Sequence, residues 1–123
     1  MGDLTKDFGT GEFACKCGCG ACTIDMKLVH MLQCIRNVVD FPLVISSGYR
    51  CEAHNKAVGG EPNSAHTRGL AADILLPASP MRFKFLKEAL VFFKRIGLSA
   101  EFVHVDVDRS LPQGVLWLYG GKE

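Results

Sequence analysis

Residues 64–76 read SAHTRGLAADILL, and this stretch carries the strongest structural signal in the chain. Residues 70–76 are apolar apart from Asp73, and Pro77 follows them, so they predict a buried strand. His66 lies in or just beyond the loop that precedes this strand. Because a charged carboxylate is costly to bury without a partner, the presence of Asp73 in the strand requires an explanation.

Two longer segments on either side of this stretch have helical periodicity. The first begins at Asp25, a good N-cap residue, and continues to about Asp40. The second begins at Ser79-Pro80, an N-cap followed by proline at the first helical position, and continues to Gly97. The residues expected to form the two buried stripes are Leu28, Val29, Met31, Leu32, Ile35, Val38 and Val39, then Phe83, Leu86, Leu90, Phe93 and Ile96.

The remaining ordered segments are short. Residues 43–46, 101–107 and 115–119 read as strands, and residues 50–58 read as a short helix closed by glycines. Together with the two longer helices, these segments predict an α+β fold with a small, mainly antiparallel sheet.

The composition is that of a soluble globular protein. A chain of 123 residues predicts a single domain, with a cysteine-rich loop at about residues 13–22. The 14 basic and 13 acidic residues nearly cancel, so no broad positive field favours nucleic acid as a partner. The apolar runs are too short for a membrane helix. We therefore expect a monomer that neither binds nucleic acid nor inserts into a membrane.

Three side chains that make good zinc ligands stand where apolar residues would be expected: His66, Asp73 and His104. Catalytic zinc sites use three protein ligands and leave a fourth position for water, and a His-Asp-His set meets that requirement. A buried histidine is more often a hydrogen-bonded core residue than a ligand. Residue types alone therefore leave both interpretations open.

The spacing of five motifs favours the metal site. In order and local spacing they resemble the zinc D-Ala-D-Ala carboxypeptidases and related peptidoglycan endopeptidases, whose fold is shared by the hedgehog signalling domain. The resemblance covers roughly residues 12–117 and implies that α+β fold, with two main helices packed on the sheet. The motifs are Ser47-Gly48-Tyr49-Arg50, His54-Asn55, Val58-Gly59-Gly60, Ser64-x-His66-x-x-Gly69-x-Ala71-x-Asp73 and Glu101-x-x-His104-x-Asp106.

The resemblance implies roles for the residues of these motifs. His66, Asp73 and His104 would bind one zinc ion, and Glu101 would be the general base. Zinc lowers the pKa of bound water to about 7, and a nearby carboxylate can accept the proton as the water attacks a peptide carbonyl. In a regular strand Glu101 would point away from the face of His104, so this role requires irregular geometry at Glu101 and Phe102.

Three further residues have both a functional and a structural interpretation, and a fourth has only a structural one. Arg50 matches an arginine that binds substrate or polarises the scissile carbonyl, although it could also cap a surface turn. Asp106 shares a face with His104, so it either orients that imidazole or forms a structural salt bridge. Ser64 is expected to contact substrate, or to cap its loop. Trp117 is expected to pack in the core.

Six cysteines are many for a chain of this size, and four of them form a C-x-C-x-C-x-x-C motif at residues 15–22. These four could bind a second, structural metal ion, or some could pair with Cys51. A zinc module that binds nucleic acid would be surrounded by basic residues, and only Lys16 is nearby. Cys34, within the first helix, is expected to be a buried free thiol.

The resemblance therefore predicts a zinc metallopeptidase that cleaves the stem peptide of bacterial peptidoglycan. It would act as a D-Ala-D-Ala carboxypeptidase or an endopeptidase, as phage and prophage endolysins do. The alternative is a non-catalytic, metal-stabilised binding domain on the same fold, which would not need Glu101. Residues 1–8 contain no apolar run of the kind found in signal peptides, so we expect synthesis in the cytoplasm and action in the periplasm or cell wall after release.

Overall fold

A five-stranded sheet forms the centre of the computed structural model, which describes residues 2–119. Its strands follow the order β1-β2-β4-β3-β5, and every neighbouring pair is antiparallel except β3 and β5, which are parallel. The predicted α+β fold with a mainly antiparallel sheet is confirmed. The strands are β1 (Val44–Ser47), β2 (Ala71–Leu75), β3 (Arg95–Leu98), β4 (Phe102–Asp106) and β5 (Val115–Leu118).

Two of the helices are long, as predicted. The first long helix begins after Asp25, whose carboxylate accepts a hydrogen bond from the Lys27 N–H at 2.7 Å. Within residues 2–119, no helix combines the length and apolar character needed to cross a bilayer. The helices are α1 (Thr10–Phe13), α2 (Met26–Val38), α3 (Glu52–Ala57) and α4 (Ser79–Phe92), with a 3₁₀ helix at Ala65–Arg68.

The hydrophobic core lies between one face of the sheet and helices α2 and α4. Alternate residues of β2 and β4 point to this face, because side chains of a strand alternate between its two sides. Asp73 and His104 occupy the intervening positions and therefore share the opposite face. The fully buried core residues include Leu28, Leu32 and Ile35 of α2, Ala72, Ile74, Val103 and Val105 of the strands, and Phe85 and Ala89 of α4.

The second long helix is shorter than predicted. It was expected to continue to Gly97, but it ends at Phe92, and residues 95–98 form β3 instead. Phe93 is buried as expected, but its backbone is already extended. β3 is hydrogen-bonded to β4 on one side and to β5 on the other. Pairing within the β3–β4 hairpin and with β5 outweighs the local helical periodicity.

Some side chains predicted to be buried are exposed. Helix α4 has apolar residues on several sides, so periodicity does not identify its buried face. The helix buries Phe85 and Ala89, and this leaves Phe83 70% exposed. The prediction of a buried thiol at Cys34 is also wrong, since that residue is exposed. Met31 packs against the core, as expected. Val38 and Leu90, which were counted in the same stripes, are exposed as well.

Gly69 ends the 3₁₀ helix in the left-handed conformation, at φ +74°, and an added Cβ would lie 2.1 Å from the Thr23 carbonyl oxygen. We expect Gly69→Ala to lower the free energy of unfolding by at least about 2 kcal/mol, because it adds a steric clash to the cost of that conformation. Urea denaturation measures this loss. Gly59→Ala is the matched control, since Gly59 has φ +76° with open space around it. Equal losses in both variants would contradict the expected clash.

Candidate metal centre

The three side chains predicted to bind zinc meet on the side of the sheet away from the helices. Asp73 of β2 and His104 of β4 are directly opposite each other in the strand register. His66 comes from the 3₁₀ helix that precedes β2. All three are buried, with exposed fractions of 7% for Asp73, 5% for His104 and 2% for His66. One potential ligand atom from each lies within 4.8 Å of the other two, so the three could hold one metal ion.

Each imidazole of this cluster is held from its outer side. The Nδ1 of His66 donates to the Gly48 carbonyl oxygen at 2.7 Å, which leaves Nε2 to face Asp73. His104 directs Nδ1 to Asp73 Oδ1 at 2.9 Å, and its Nε2 lies 2.7 Å from Asp106 Oδ2. Histidines that bind metal ions commonly use one ring nitrogen as ligand and donate the other N–H to such an acceptor. The arrangement therefore has the organisation of a metal centre.

The Nε2 atom of His66 provides a direct test of whether a metal ion fits. It is buried and has no hydrogen-bond partner within residues 2–119, although Asp73 Oδ1 lies 3.3 Å away in poor alignment. A buried polar atom without a partner is unusual and costly. Two imidazole nitrogens and one carboxylate oxygen are donors that suit zinc and leave a coordination position open. The residues present thus fit the ion that the resemblance implies.

The side chains of the cluster shift one another's pKa values. Burial alone would raise the pKa of Asp73, but the hydrogen bond with His104 and the close approach of the His66 imidazole outweigh it and hold the pKa of that carboxyl well below its usual range. Burial also disfavours the charged form of His104. Hydrogen bonds to Asp106 and Asp73 nevertheless raise the pKa of His104 above its ordinary value of 6.5. Asp73 thus favours its ionised form, and the two carboxylates beside His104 favour protonation of that imidazole.

We expect zinc affinity to decrease on acidification from a pH above 6.5, the ordinary histidine pKa. A ligand histidine must be neutral, so protons compete with the metal once the pH approaches the raised pKa of His104. A competition assay with a chromophoric chelator at several pH values measures this. Asp106→Asn removes a carboxylate that favours the protonated form, so its affinity should begin to fall at a lower pH. An affinity that does not change with pH would contradict the expectation.

Asp106 combines both roles that the sequence left open. Its Oδ2 atom contacts His104, and its Oδ1 atom accepts a hydrogen bond from Arg95 Nε at 2.8 Å. The Asp108 N–H also donates to Oδ1, at 3.1 Å. The carboxylate is therefore fixed by an ion pair while it orients the imidazole.

Arg50 follows β1 and is held by a residue whose role the sequence did not reveal. Its Nη1 donates to Asn55 Oδ1 at 2.9 Å, and Asn55 Nδ2 donates to the Glu61 carbonyl at 2.9 Å. A Cβ at position 60 would lie 2.1 Å from Asn55 Oδ1, so Gly60 permits this close approach. Burial lowers the pKa of Arg50, and the nearby Asp73 charge opposes that shift. The guanidinium thus lies within electrostatic reach of the cluster.

A family model described as Peptidase M15 matches residues 6–106, a span that contains all three residues of the cluster and Arg50. The chain belongs to the peptidase M15 family. Membership implies peptide-bond hydrolysis and supports the resemblance to zinc D-Ala-D-Ala carboxypeptidases at the level of the family. A comparison with curated proteins gives no match.

In this M15 peptidase, a cavity of about 430 Å³ opens beside the cluster. Its walls include Glu61, Ser64, His104 and Tyr119. The Ser64 hydroxyl also accepts a hydrogen bond from the His66 N–H at 3.2 Å, so it caps the 3₁₀ helix. The position of Ser64 is thus compatible with both interpretations of its role.

Trp117 lines the same cavity, so the prediction that it packs in the core is wrong. Its ring lies 5.4 Å from that of His104, and the Arg95 guanidinium stacks on it at 4.9 Å. Trp117 pairs with Gly97 of β3, where an added Cβ would approach the indole nitrogen to 2.6 Å. A glycine within a strand can indicate such close packing, but the strand containing Gly97 was itself not predicted.

Glu101, the predicted base of this M15 peptidase, lies at a bend in the turn between β3 and β4. The irregular geometry expected at Glu101 is present, whereas Phe102 already belongs to β4. The side chain is exposed, and among residues 2–119 no hydrogen bond or ion pair joins its carboxylate to the cluster. Its peptide carbonyl accepts from the Leu76 N–H at 2.8 Å. The role of Glu101 as base stays a prediction.

Proposed function

We propose that this M15 peptidase is a zinc-dependent hydrolase of the stem peptide of bacterial peptidoglycan. It would act as a D-Ala-D-Ala carboxypeptidase or as an endopeptidase of the endolysin type. The observation that carries the proposal is the buried cluster of His66, Asp73 and His104, with ligand atoms within 4.8 Å of one another, inside the family match. Its substrate lies in the periplasm or cell wall, which would then be its site of action.

His66 Nε2, His104 Nδ1 and an Asp73 oxygen would hold the zinc ion. When bound, zinc supplies a positive charge that lowers the pKa of water and polarises a carbonyl. The Gly48 carbonyl and Asp106 keep the two imidazoles in the tautomers that direct these nitrogens inwards. The ligand side chains therefore need little reorganisation on binding.

Glu101 and Arg50 would carry the remaining chemistry. Glu101 accepts the proton of the attacking water and delivers it to the leaving amine. Its exposed carboxylate, which has no hydrogen-bond partner among residues 2–119, is available for this transfer. Arg50 offers a permanently charged planar donor to a carboxylate or carbonyl of the substrate, and Asn55 fixes its orientation.

A non-catalytic binding domain is the second candidate function. It is favoured by one observation: the Glu101 carboxylate makes no contact with the metal cluster among residues 2–119. A binding domain would keep the metal but would not require a base beside it. The two functions therefore differ in turnover and not in metal content.

Digestion of purified peptidoglycan by the zinc-loaded protein distinguishes these functions. Mass analysis of the fragments should show loss of terminal alanine for a carboxypeptidase, or separation of stem-peptide bonds for an endopeptidase. A zinc-free sample prepared with a chelator is the control. Intact peptidoglycan after incubation with folded, zinc-loaded protein would contradict hydrolysis and favour the binding domain.

A further inference from the structure

Four thiols outside the catalytic cluster also meet. Cys15, Cys17 and Cys19 come from the loop after α1, and Cys51 is the N-cap residue of α3. The Sγ atoms of Cys15 and Cys17 are 3.4 Å apart, and each lies 3.7 Å from the Sγ of Cys51. All four Sγ atoms lie within 4.8 Å of one another. Cys22 does not join them and packs against the hydrophobic core instead.

The spacing of these sulfur atoms is that of ligands around one ion. A tetrahedral zinc ion with Zn–S bonds of about 2.3 Å places its sulfur ligands about 3.8 Å apart. The separations of 3.4 and 3.7 Å are close to this value. A disulfide would need about 2.05 Å between two sulfur atoms, and it would not account for the position of the other two thiols. We propose that Cys15, Cys17, Cys19 and Cys51 bind a second, structural zinc ion.

The backbone around the four cysteines supports thiolate ligands. The Cys51 N–H donates to Cys15 Sγ at 3.4 Å, and the His54 N–H donates to Cys51 Sγ at 3.4 Å. Hydrogen bonds of this kind stabilise the negative charge of metal-bound sulfur and orient it. Cys17 and Cys19 are exposed, and the loop that carries them has few buried residues. A metal ion would give this loop the fixed geometry that a hydrophobic core does not supply.

The second ion would stabilise the segment that supports the catalytic cluster. Cys51 directly follows Arg50, and the Tyr49 N–H donates to the Phe13 carbonyl at 2.8 Å. The same segment contains Gly48, whose carbonyl orients a histidine of the catalytic cluster. An ion that joins the cysteine loop to Cys51 would therefore hold this segment at a second point. The existence of the thiolate site does not depend on the proposed peptidase activity.

Cobalt substitution of the reduced, metal-stripped full chain tests the proposal. Cobalt bound to thiolates gives charge-transfer bands in the near ultraviolet and intense visible bands, whereas histidine and carboxylate ligands give no thiolate charge transfer. We expect two bound equivalents, one of them with these bands. The double variant Cys17→Ser/Cys19→Ser, which removes two of the four thiolates, should lose that equivalent and its bands. Cys34→Ser, which changes an exposed thiol outside the site, is the matched control and should retain both.

Further variants separate this proposal from the proposed function. His66→Ala should retain the thiolate bands and lose the other equivalent. Because Cys51→Ser changes the N-cap of α3 and could impair folding, the conclusion depends on the exposed Cys17 and Cys19. The proposal is overturned if reduced protein gives no thiolate bands, or if the double variant Cys17→Ser/Cys19→Ser leaves them unchanged. Failure to cleave peptidoglycan would leave the bands, and this inference, intact.

Discussion

His66→Ala is expected to lose the catalytic metal and at least about 10³-fold of the peptidoglycan hydrolysis rate. The variant removes a ligand atom that is buried and has no hydrogen-bond partner within residues 2–119. Without the metal, water keeps its solution pKa of 15.7 in place of a value near 7, and the scissile carbonyl loses its electrophilic partner. Elemental analysis and fragment analysis of the same preparation measure both losses.

His30→Ala is the matched control for this experiment. His30 is an exposed histidine of α2, away from the metal ligands, so its replacement should preserve metal content and activity. Urea denaturation of both variants checks that each is folded. A His66→Ala protein that remains fully active without metal would exclude the proposed mechanism.

Glu101→Gln is expected to reduce turnover by about 10²-fold or more while zinc content stays unchanged. Glutamine keeps the size and much of the hydrogen bonding of glutamate but cannot accept the proton of the attacking water. Glu101 is not one of the three clustered ligand residues, so its neutralisation should not release the ion. Single-turnover hydrolysis of a stem peptide, with metal analysis of the same sample, measures the two effects.

Glu61→Gln is the matched control for Glu101→Gln, because Glu61 is a second glutamate near the metal cluster. Glu61 lines the cavity beside His104, whereas Glu101 lies at the exposed β3–β4 turn. If Glu101 is the base, Glu61→Gln should retain most of the turnover. Near wild-type turnover in Glu101→Gln would refute the assignment of Glu101 as the base. A large loss of turnover in Glu61→Gln alone would identify Glu61 as the base. Loss of zinc in Glu101→Gln would instead identify it as a ligand.

Several residues of the metal cluster could be marked as candidates because their signals are local. A single carboxylate in an apolar strand identifies Asp73, and the period of two in a strand correctly groups Asp106 with His104. The motif that spans His66 and Asp73 places both near one strand. These local signals mark the candidate residues, whereas the expectation that His104 joins them came from the resemblance to a known family. Neither contains information on the hydrogen bond from His66 to Gly48.

Strand pairing limited the other predictions, because a single segment's periodicity does not show its partners. β3 pairs with β4 as a hairpin and with β5 further along the chain, and Trp117 of β5 reaches His104 through that arrangement. The local pattern instead predicted a longer helix and a buried tryptophan. Cys51 was named from the sequence as a partner for the cysteine motif, and it lies beside Cys15, Cys17 and Cys19, whereas Cys22 of the same motif does not. Asn55 belongs to a motif found in the sequence, but its role in orienting Arg50 is seen only in the three-dimensional contacts.

The segment from Gly48 to Cys51 cannot change length without loss of contacts, because its successive residues bind different parts of the molecule. Gly48 accepts from His66, Arg50 returns a backbone hydrogen bond to the His66 carbonyl at 3.1 Å, and Cys51 belongs to the thiol cluster. Adding one residue would shift every following group by about 3.3 Å along the extended chain, which no side-chain rotation can correct. Changes of length in homologous chains should therefore occur outside this segment.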